Sequence, residues 1–354
     1  MDGFIESAIR NNTPMPEDMG ATSSDKIRIL VVGVGGGGCN TVHRLSNMGI
    51  KSAETIAVNT DSSHLKIVNA NKRLLIGSTV TKGLGAGGYP EVAAKCAEIS
   101  KDKLREAIGT CELVFLCAGM GGGTGTGASP IIAEIAKEQG AIVVSVVTYP
   151  FILERARLKK ADWGLEELRK KSDTVIVIDN NRLAGFVPNL PINQAFQVAD
   201  EITARAVKGI ADTIMLPSLI NIDFADVRSI MGGAGVAVIS MGEGKGNNKV
   251  EDAAKSAIEH PLLDVDLTGA KGALIHIAGS PQLTLGEATT IGERITSKFA
   301  GDANVIWGAR HDASIGDAVT VTAIMTGLTS KFQLGGKKEE DACAQLALDL
   351  EAML

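Results

Sequence analysis

Between residues 113 and 137 an apolar run, Leu113–Cys117, meets a helical pattern, Ala128–Lys137, through a corner in which Gly121 to Gly127 hold five glycines and two threonines. So much glycine at a strand-to-helix turn narrows what the chain can become. Without Cβ atoms the backbone N–H groups can close on a bulky anion, and the partial positive charge of the helix N-terminus faces the same point. The corner is a cradle for phosphates.

The rest of the chain supplies the sheet that such a corner needs. From Lys26 onward, β-branched apolar runs at Ile27–Val32, Thr55–Val58, Leu74–Ile76, Leu113–Cys117, Ala141–Val147 and Thr174–Ile178 alternate with helical patterns near Thr41–Asn47, Glu91–Ala107, Ile131–Lys137 and Leu158–Lys171. Continuous apolar strands separated by helices predict an α/β fold with a parallel sheet covered on both faces. A long amphipathic pattern follows, Ile192 to Met215, with Ala195, Val198, Ala199, Ile202, Ala206, Ile210 and Ile214 near helical spacing; it is long enough to be a spine between two units. A second, smaller α/β unit is expected from strands near Val236–Met241, Ala273–Ala278, Asn304–Trp307 and Ala318–Met325, with helices near Val250–Glu259 and Leu285–Phe299. The expected organisation is a polar tail (1–25), a parallel α/β unit (26–191), a central helix and connection (192–220), a smaller C-terminal α/β unit (221–331) and a C-terminal tail with a peripheral helix (332–354).

Composition removes several classes of function. A net charge of −6, with eight Phe, two Tyr and two Trp in 354 residues, lacks the basic stripe and stacking platforms of a nucleic-acid surface. No stretch approaches the ~18 uninterrupted apolar residues of a membrane span, and the first residues carry no basic-then-apolar leader, so a soluble cytoplasmic chain without direct membrane insertion is expected. Cys39, Cys96, Cys111, Cys117 and Cys343 form no CxxC pair and are expected to be small buried hydrophobes. The five histidines show no metal-ligand spacing, His276 is expected to be a satisfied structural residue, and Trp163 and Trp307 packing residues. Ser129 lacks the glycine framing of a nucleophile elbow.

Two further glycine corners sharpen the phosphate reading. Gly33-Val34-Gly35-Gly36-Gly37-Gly38 follows the first strand and matches GxGxxG, and Gly83-Leu84-Gly85-Ala86-Gly87-Gly88 precedes Tyr89-Pro90 and another helix. A dinucleotide loop also needs an acidic residue about 20 positions on, for which Asp61 is the candidate, so an NAD(P)-dependent oxidoreductase stands as the alternative function. One dinucleotide needs one such loop; three at the same edge of a parallel sheet favour another design. GxxxxGK[ST] is absent, so a triphosphate would be held by backbone amides and helix dipoles.

These residues carry a resemblance. Gly121-Gly122-Gly123-Thr124-Gly125-Thr126-Gly127 resembles the signature loop of the tubulin/FtsZ family, and the other glycine corners come in the family's order. Asn221-Ile222-Asp223-Phe224-Ala225-Asp226-Val227 is similar to the loop by which that family reaches into the nucleotide site of the next subunit. Pro261–Asp264 and Ala303–Trp307 resemble its second domain, and the likeness is closest to archaeal members of the FtsZ branch. It implies phosphate contacts from Gly35, Gly36, Gly85, Ala86, Gly87, Gly88, Gly121, Gly122, Gly123, Thr124 and Gly125, with Thr60 and Asp61 on the phosphate and metal side. It also implies Glu154 and Arg157 at the ribose, Asn40 and Asn180 at base or sugar, Phe196 stacked on guanine and Asp200 on its Watson–Crick edge. Glu154-Arg155-Ala156-Arg157 departs from the family pattern, lacking its Gly and one residue shorter, so either arginine can fill the ribose role.

Asp223 and Asp226 lie three apart and share one side of a first helical turn if Asp223 opens a helix. Their ordinary work there is capping. The resemblance instead makes Asn221, Asp223 and Asp226 catalytic, polarising water for attack on a γ-phosphate held by the adjacent subunit. The implied protein is a cell-division GTPase that turns GTP into GDP and phosphate when it assembles. It uses Mg²⁺ bound through the phosphates, with K⁺ as a candidate second ion, and no protein-only metal site. Its partners are itself, head to tail, a membrane-tethering adaptor of the SepF type and other division proteins at a mid-cell ring.

Overall fold

Valine, isoleucine and leucine at consecutive positions suit a strand covered on both faces, and β1 (Ile29–Val34) is buried at every position. It pairs in parallel with β2 (Glu54–Asn59) on one side and β4 (Leu113–Gly119) on the other. β3 (Lys72–Leu75) extends the sheet beyond β2, and β5 (Ile142–Tyr149) and β6 (Thr174–Asp179) extend it beyond β4, all parallel. The computed structural model describes residues 27–328 apart from 187–188, 217, 234, 260–266 and 313–314. Both expected tails, Pro261–Asp264 and Cys343 lie outside the described residues.

Helices cover both faces. On one, Cys39, Val42 and Leu45 of α1 (Gly35–Asn47) are buried against the strands. On the other lie α4 (Pro90–Ile99), α5 (Lys101–Ile108), α6 (Thr124–Glu138) and α7 (Arg155–Lys171). Shorter helices, α2 (Ser62–Ile67), α3 (Ser78–Thr81) and α8 (Asn180–Phe186), fill connections where the sequence shows no period. The single helix expected over Glu91–Ala107 is broken at Ser100, whose buried Oγ accepts the Gly77 N–H at 3.0 Å. A tertiary contact there outweighs the helical period.

α9 (Ile192–Met215) packs beside α1 with Ala204, Ala206, Val207 and Ile210 turned inward. At 1.5 Å per residue its 24 residues span ~36 Å. After α10 (Phe224–Met231) the chain returns to the sheet. β7 (Gly235–Gly244) continues in parallel from β6 through Thr174↔Gly235, Val175↔Val236 and Ile176↔Ala237. β10 (Val319–Thr326) runs antiparallel to β7 and to β8 (Gly272–Gly279), and β9 (Asn304–His311) closes the edge parallel to β8. The second unit is therefore stitched by three residue pairs into one ten-stranded sheet. It keeps its own core, beneath α11 (Lys249–Ile258) and α12 (Leu285–Thr296).

Trp307 packs against that core, but Trp163 stands 45% exposed on α7, so it is a surface residue and not the packing residue expected. Among the described residues no helix is long and apolar enough to cross a membrane.

Candidate functional site

Parallel strands place all their carboxyl ends at one edge, so the connections leaving β1, β2, β4 and β5 meet there. Contact is by backbone. A Cβ on Gly35 would lie 2.7 Å from the Gly125 nitrogen, and one on Gly123 would lie 3.0 to 3.2 Å from Ala86, Gly88 and Tyr89, so three glycine corners interlock. Thr60, at the end of β2, joins them through Oγ1 to Thr124 Oγ1 at 2.8 Å, and its carbonyl accepts the Gly85 N–H at 3.1 Å. Thr126 is structural: its Oγ1 accepts the Gly121 N–H at 2.9 Å and holds the loop in shape. No side chain caps the N-terminus of α6, so its first amides face outward with the helix dipole behind them.

The glycines divide by what opposes them. Gly127 is required by packing, since a Cβ would meet the Pro90 carbonyl oxygen at 1.9 Å, and Gly38 by the Cys117 oxygen at 2.0 Å. At Gly36 and Gly122 a Cβ would meet nothing within 4 Å, and both face a cavity of about 820 Å³. That is the size of a small-molecule site.

Gly123, Thr124 and Gly125 line the glycine-loop side of this cavity. Beyond them Glu154, Arg157, Asn180 and Phe196 line it as well. Arg157 Nη1 meets Glu154 Oε2 at 2.5 Å, so Arg157 rather than Arg155 is the arginine at the wall. Asn180, at the start of α8, is buried with Oδ1 lacking any hydrogen-bond partner, an acceptor left over for something else. Phe196 packs edge-on to Phe151, ring centroids 5.9 Å apart. Phe151, Leu183 and Leu190 make the apolar end of the cavity; sequence reading missed them, and its one signal was the Tyr149-Pro150-Phe151 exit from β5.

Other expected residues sit around the cavity without lining it. Gly85 to Gly88 and Gly121 lie outside its lining, with the Gly85 and Gly121 N–H groups given to Thr60 and Thr126. Asp61 caps α2, Oδ1 accepting the Ser63 and His64 N–H groups at 2.8 and 3.1 Å. Asn40 Oδ1 lies 3.2 Å from His64 Nε2. Asp200 is half-buried on α9, and burial pushes its carboxyl up to about 6 while Arg44 pulls it down.

Asp223 and Asp226 are not at this cavity. Asp223 caps α10 and accepts the Asp226 N–H at 2.8 Å, while Asp226 Oδ2 accepts the Asp223 N–H at 3.2 Å, a closed capping box. Asn221 accepts the Ser218 N–H at 2.9 Å. Phe196 stands near the start of α9 and Met215 at its end, ~29 Å of helix apart, and the Asp pair follows beyond Met215.

Two smaller expectations also meet the structure. The four described cysteines are buried, with burial pushing the Cys39 and Cys117 thiols up to about 12, as befits small hydrophobes. His276 is not satisfied: its Nε2 is buried without a partner, and burial holds the ring down to about 4.

Residues 28–188 match the Tubulin/FtsZ family, GTPase domain, and residues 235–329 match the FtsZ family, C-terminal domain. Cell division protein FtsZ 2 of Methanocaldococcus jannaschii is 58% identical over 311 residues, 87% of this chain and 82% of the relative. FtsZ 2 of Halobacterium salinarum is 53% identical over 315 residues, 89% of this chain and 80% of the relative. An FtsZ dimer from M. jannaschii, solved empty, superposes with a TM-score of 0.83 at 42% identity over 92% of either chain. CetZ2 from Haloferax volcanii, solved as a GTPγS-bound protofilament, shares the fold at a TM-score of 0.74 and 19% identity, covering 91% of this chain and all of that one.

The fold and these matches together define a tubulin-like GTPase. Within that class the chain belongs to the FtsZ family of cell division proteins, with archaeal members as its relatives. The oxidoreductase alternative for Gly33–Gly38 finds no support in these matches and is set aside.

Proposed function

We propose that this GTPase works as a filament subunit: GTP sits in the cavity of one molecule and is hydrolysed with the Asp223–Asp226 pair of the molecule stacked above it. The observation that carries this is that Asp223 and Asp226 do not line the cavity and follow the far end of α9, ~29 Å of helix beyond Phe196, an arrangement that a head-to-tail neighbour can complete. Exposed apolar side chains near the cavity (Leu84, Tyr89, Ile152, Leu153) and beside the Asp loop (Leu219) support burial of both ends in such a contact.

In this reading residues 26–191 hold the nucleotide, 192–220 connect, and 221–331 activate. The amides of Gly35, Gly36, Ala86 to Gly88 and Gly122 to Gly125 bind phosphate oxygens, with Thr60 and Asp61 beside them; the Gly85 and Gly121 N–H groups, expected to join them, are already donated to the Thr60 carbonyl and to Thr126 Oγ1. Glu154 and Arg157 hold the ribose, Asn40 and Asn180 the sugar and base edge, Phe196 stacks on the base, and Asp200 accepts from N1 and N2 of guanine, donors that adenine lacks. Water, oriented by Asp223 and Asp226 with Asn221 alongside, attacks the γ-phosphorus. The bond to the β–γ bridging oxygen breaks, GDP leaves, and a carboxylate takes the water's proton.

Among the described residues no three His, Cys, Asp or Glu side chains group to hold a metal by themselves. Mg²⁺ would be held mainly by phosphate oxygens with the Thr60 hydroxyl and Asp61 carboxylate nearby, where it would offset phosphoryl charge; K⁺ is a second candidate. The protein would act in the cytoplasm at the division ring, tied to the membrane by an adaptor of the SepF type. The test is GTP turnover per subunit as protein concentration rises: an increase through the assembly threshold is expected, and constant turnover through it would refute the shared site.

A further inference from the structure

The connection from α9 to α10, residues 216–223, carries Asn221 and Asp223 and must be held at a fixed height if those groups are to meet a neighbour's phosphate. Its middle is seated on β9 by backbone alone. The Leu219 and Ile220 N–H groups both donate to the Ala309 carbonyl, at 2.8 and 3.1 Å, and the Ala309 N–H donates to the Ile220 carbonyl at 3.2 Å. A Cβ on Gly308 would stand 2.9 Å from the Ile220 oxygen and 2.8 Å from Ile222 Cγ1, so only glycine admits this approach.

The next residue on β9, Arg310, reaches the other end of the same connection. Its Nη2 lies 3.7 Å from Asp212 Oδ2, on the last turn of α9, and 2.8 Å from Asp312 Oδ2. Asp212 is buried and anchored three ways: by Lys208 one turn back, by Arg310, and by Ser52 Oγ, which donates to Oδ1 at 2.6 Å from the loop before β2. Arg310 Nε and His276 Nε2 are buried nearby without hydrogen-bond partners, at a cavity of about 440 Å³ between α9 and the antiparallel strands. A half-buried, paired guanidinium stands here although apolar side chains would pack the space with less desolvation.

We propose that Arg310 is a positioning residue for the Asp223–Asp226 pair. Through Asp212 it clamps β9 to the end of α9, so that the 216–223 connection is fixed at its helix end by the ion pair and at its middle by Ala309. It touches neither nucleotide nor water. The inference rests on the reading that the Asp pair activates hydrolysis in a neighbour.

The test compares Arg310→Ala, Asp212→Asn, the double variant and Asp226→Ala in the full chain, measuring GTP affinity, the GTP-dependent sedimenting fraction and phosphate release per sedimented subunit. Asp212→Asn keeps an acceptor for Ser52 and leaves Arg310 its Asp312 partner, so it reads the clamp even if Arg310→Ala does not fold. Turnover about 10-fold lower is expected for each single variant at unchanged GTP affinity and sedimentation, since a displacement of ~1 Å is enough for a loss of this order or larger. The double variant should be no slower than the slower single one. Full turnover in Arg310→Ala and Asp212→Asn beside an inactive Asp226→Ala overturns the clamp alone. A loss matched by weaker GTP binding or sedimentation also overturns it, as a merely structural role. An active Asp226→Ala overturns the underlying reading of the Asp pair.

Discussion

The cavity end and the Asp223 end of the molecule are built on opposite terms. At the cavity, polar capacity is left over: an unpartnered Asn180 oxygen, first-turn amides of α6 with no side-chain cap, and an Asp200 carboxyl displaced by burial. At the other end the carboxylates are engaged with their own helix, Asp223 and Asp226 each accepting the other's N–H group. Unspent groups inside a cavity call for a small ligand. A finished surface turret gains chemistry only when another molecule is brought against it.

The comparison breaks most visibly at Asp226. Asp226→Ala should lower phosphate release by about 100- to 1000-fold, the order expected for groups acting on the transition state, with GTP affinity kept; its helix loses half a capping box, costing ~1 kcal/mol on thermal unfolding. Next, Gly122→Val should weaken GTP binding by about 100-fold while leaving the melting temperature unchanged, because the space it fills is ligand space. Gly127→Ala is the counterpart: it should melt earlier, since its Cβ meets the Pro90 oxygen at 1.9 Å. Equilibrium binding beside calorimetry separates the two glycines.

Smaller effects sharpen the cavity end. Phe196→Ala should weaken GTP by about 10-fold through lost stacking, seen as faster release of a fluorescent analogue. Asp200 gives the pH dependence. Its raised value, about 6 against an ordinary 3.8, means that the empty folded state holds the proton more tightly than the unfolded chain. Stability from that proton is therefore fully present below 3.8 and lost as pH rises through 6. GTP runs the other way, needing the carboxylate: affinity should rise by ~10-fold in all between pH 5 and 7 and then level off. Asp200→Asn should abolish that slope.

Much of the cavity end was legible in sequence because backbone amides at strand ends need glycine, and glycine is visible. Gly36, Gly122 and Gly123 could be named from the pattern alone. Asp61 and Thr126 were harder to separate from ligand groups, since capping α2 and bracing the loop ask for the same residue types as phosphate chemistry does. Phe151 and Leu190 enter the site through loop placement, which no period records. Ser100 breaks a helix for the sake of Gly77, a contact 23 residues distant, and the three pairs joining β6 to β7 depend on how two units meet. At the Asp end spacing predicted the shared helical turn, but a capping box and a catalytic pair look alike within one molecule.

The most direct measurement uses that division. Gly122→Val offers an intact Asp pair without a nucleotide, and Asp226→Ala offers a nucleotide without an Asp pair, so each alone should release almost no phosphate. Mixed in equal amounts with GTP and Mg²⁺, they should regain turnover, up to about a quarter of the unsubstituted rate if subunits alternate at random. Turnover in the mixture that stays at the average of the two variants alone would contradict an active site divided between neighbours.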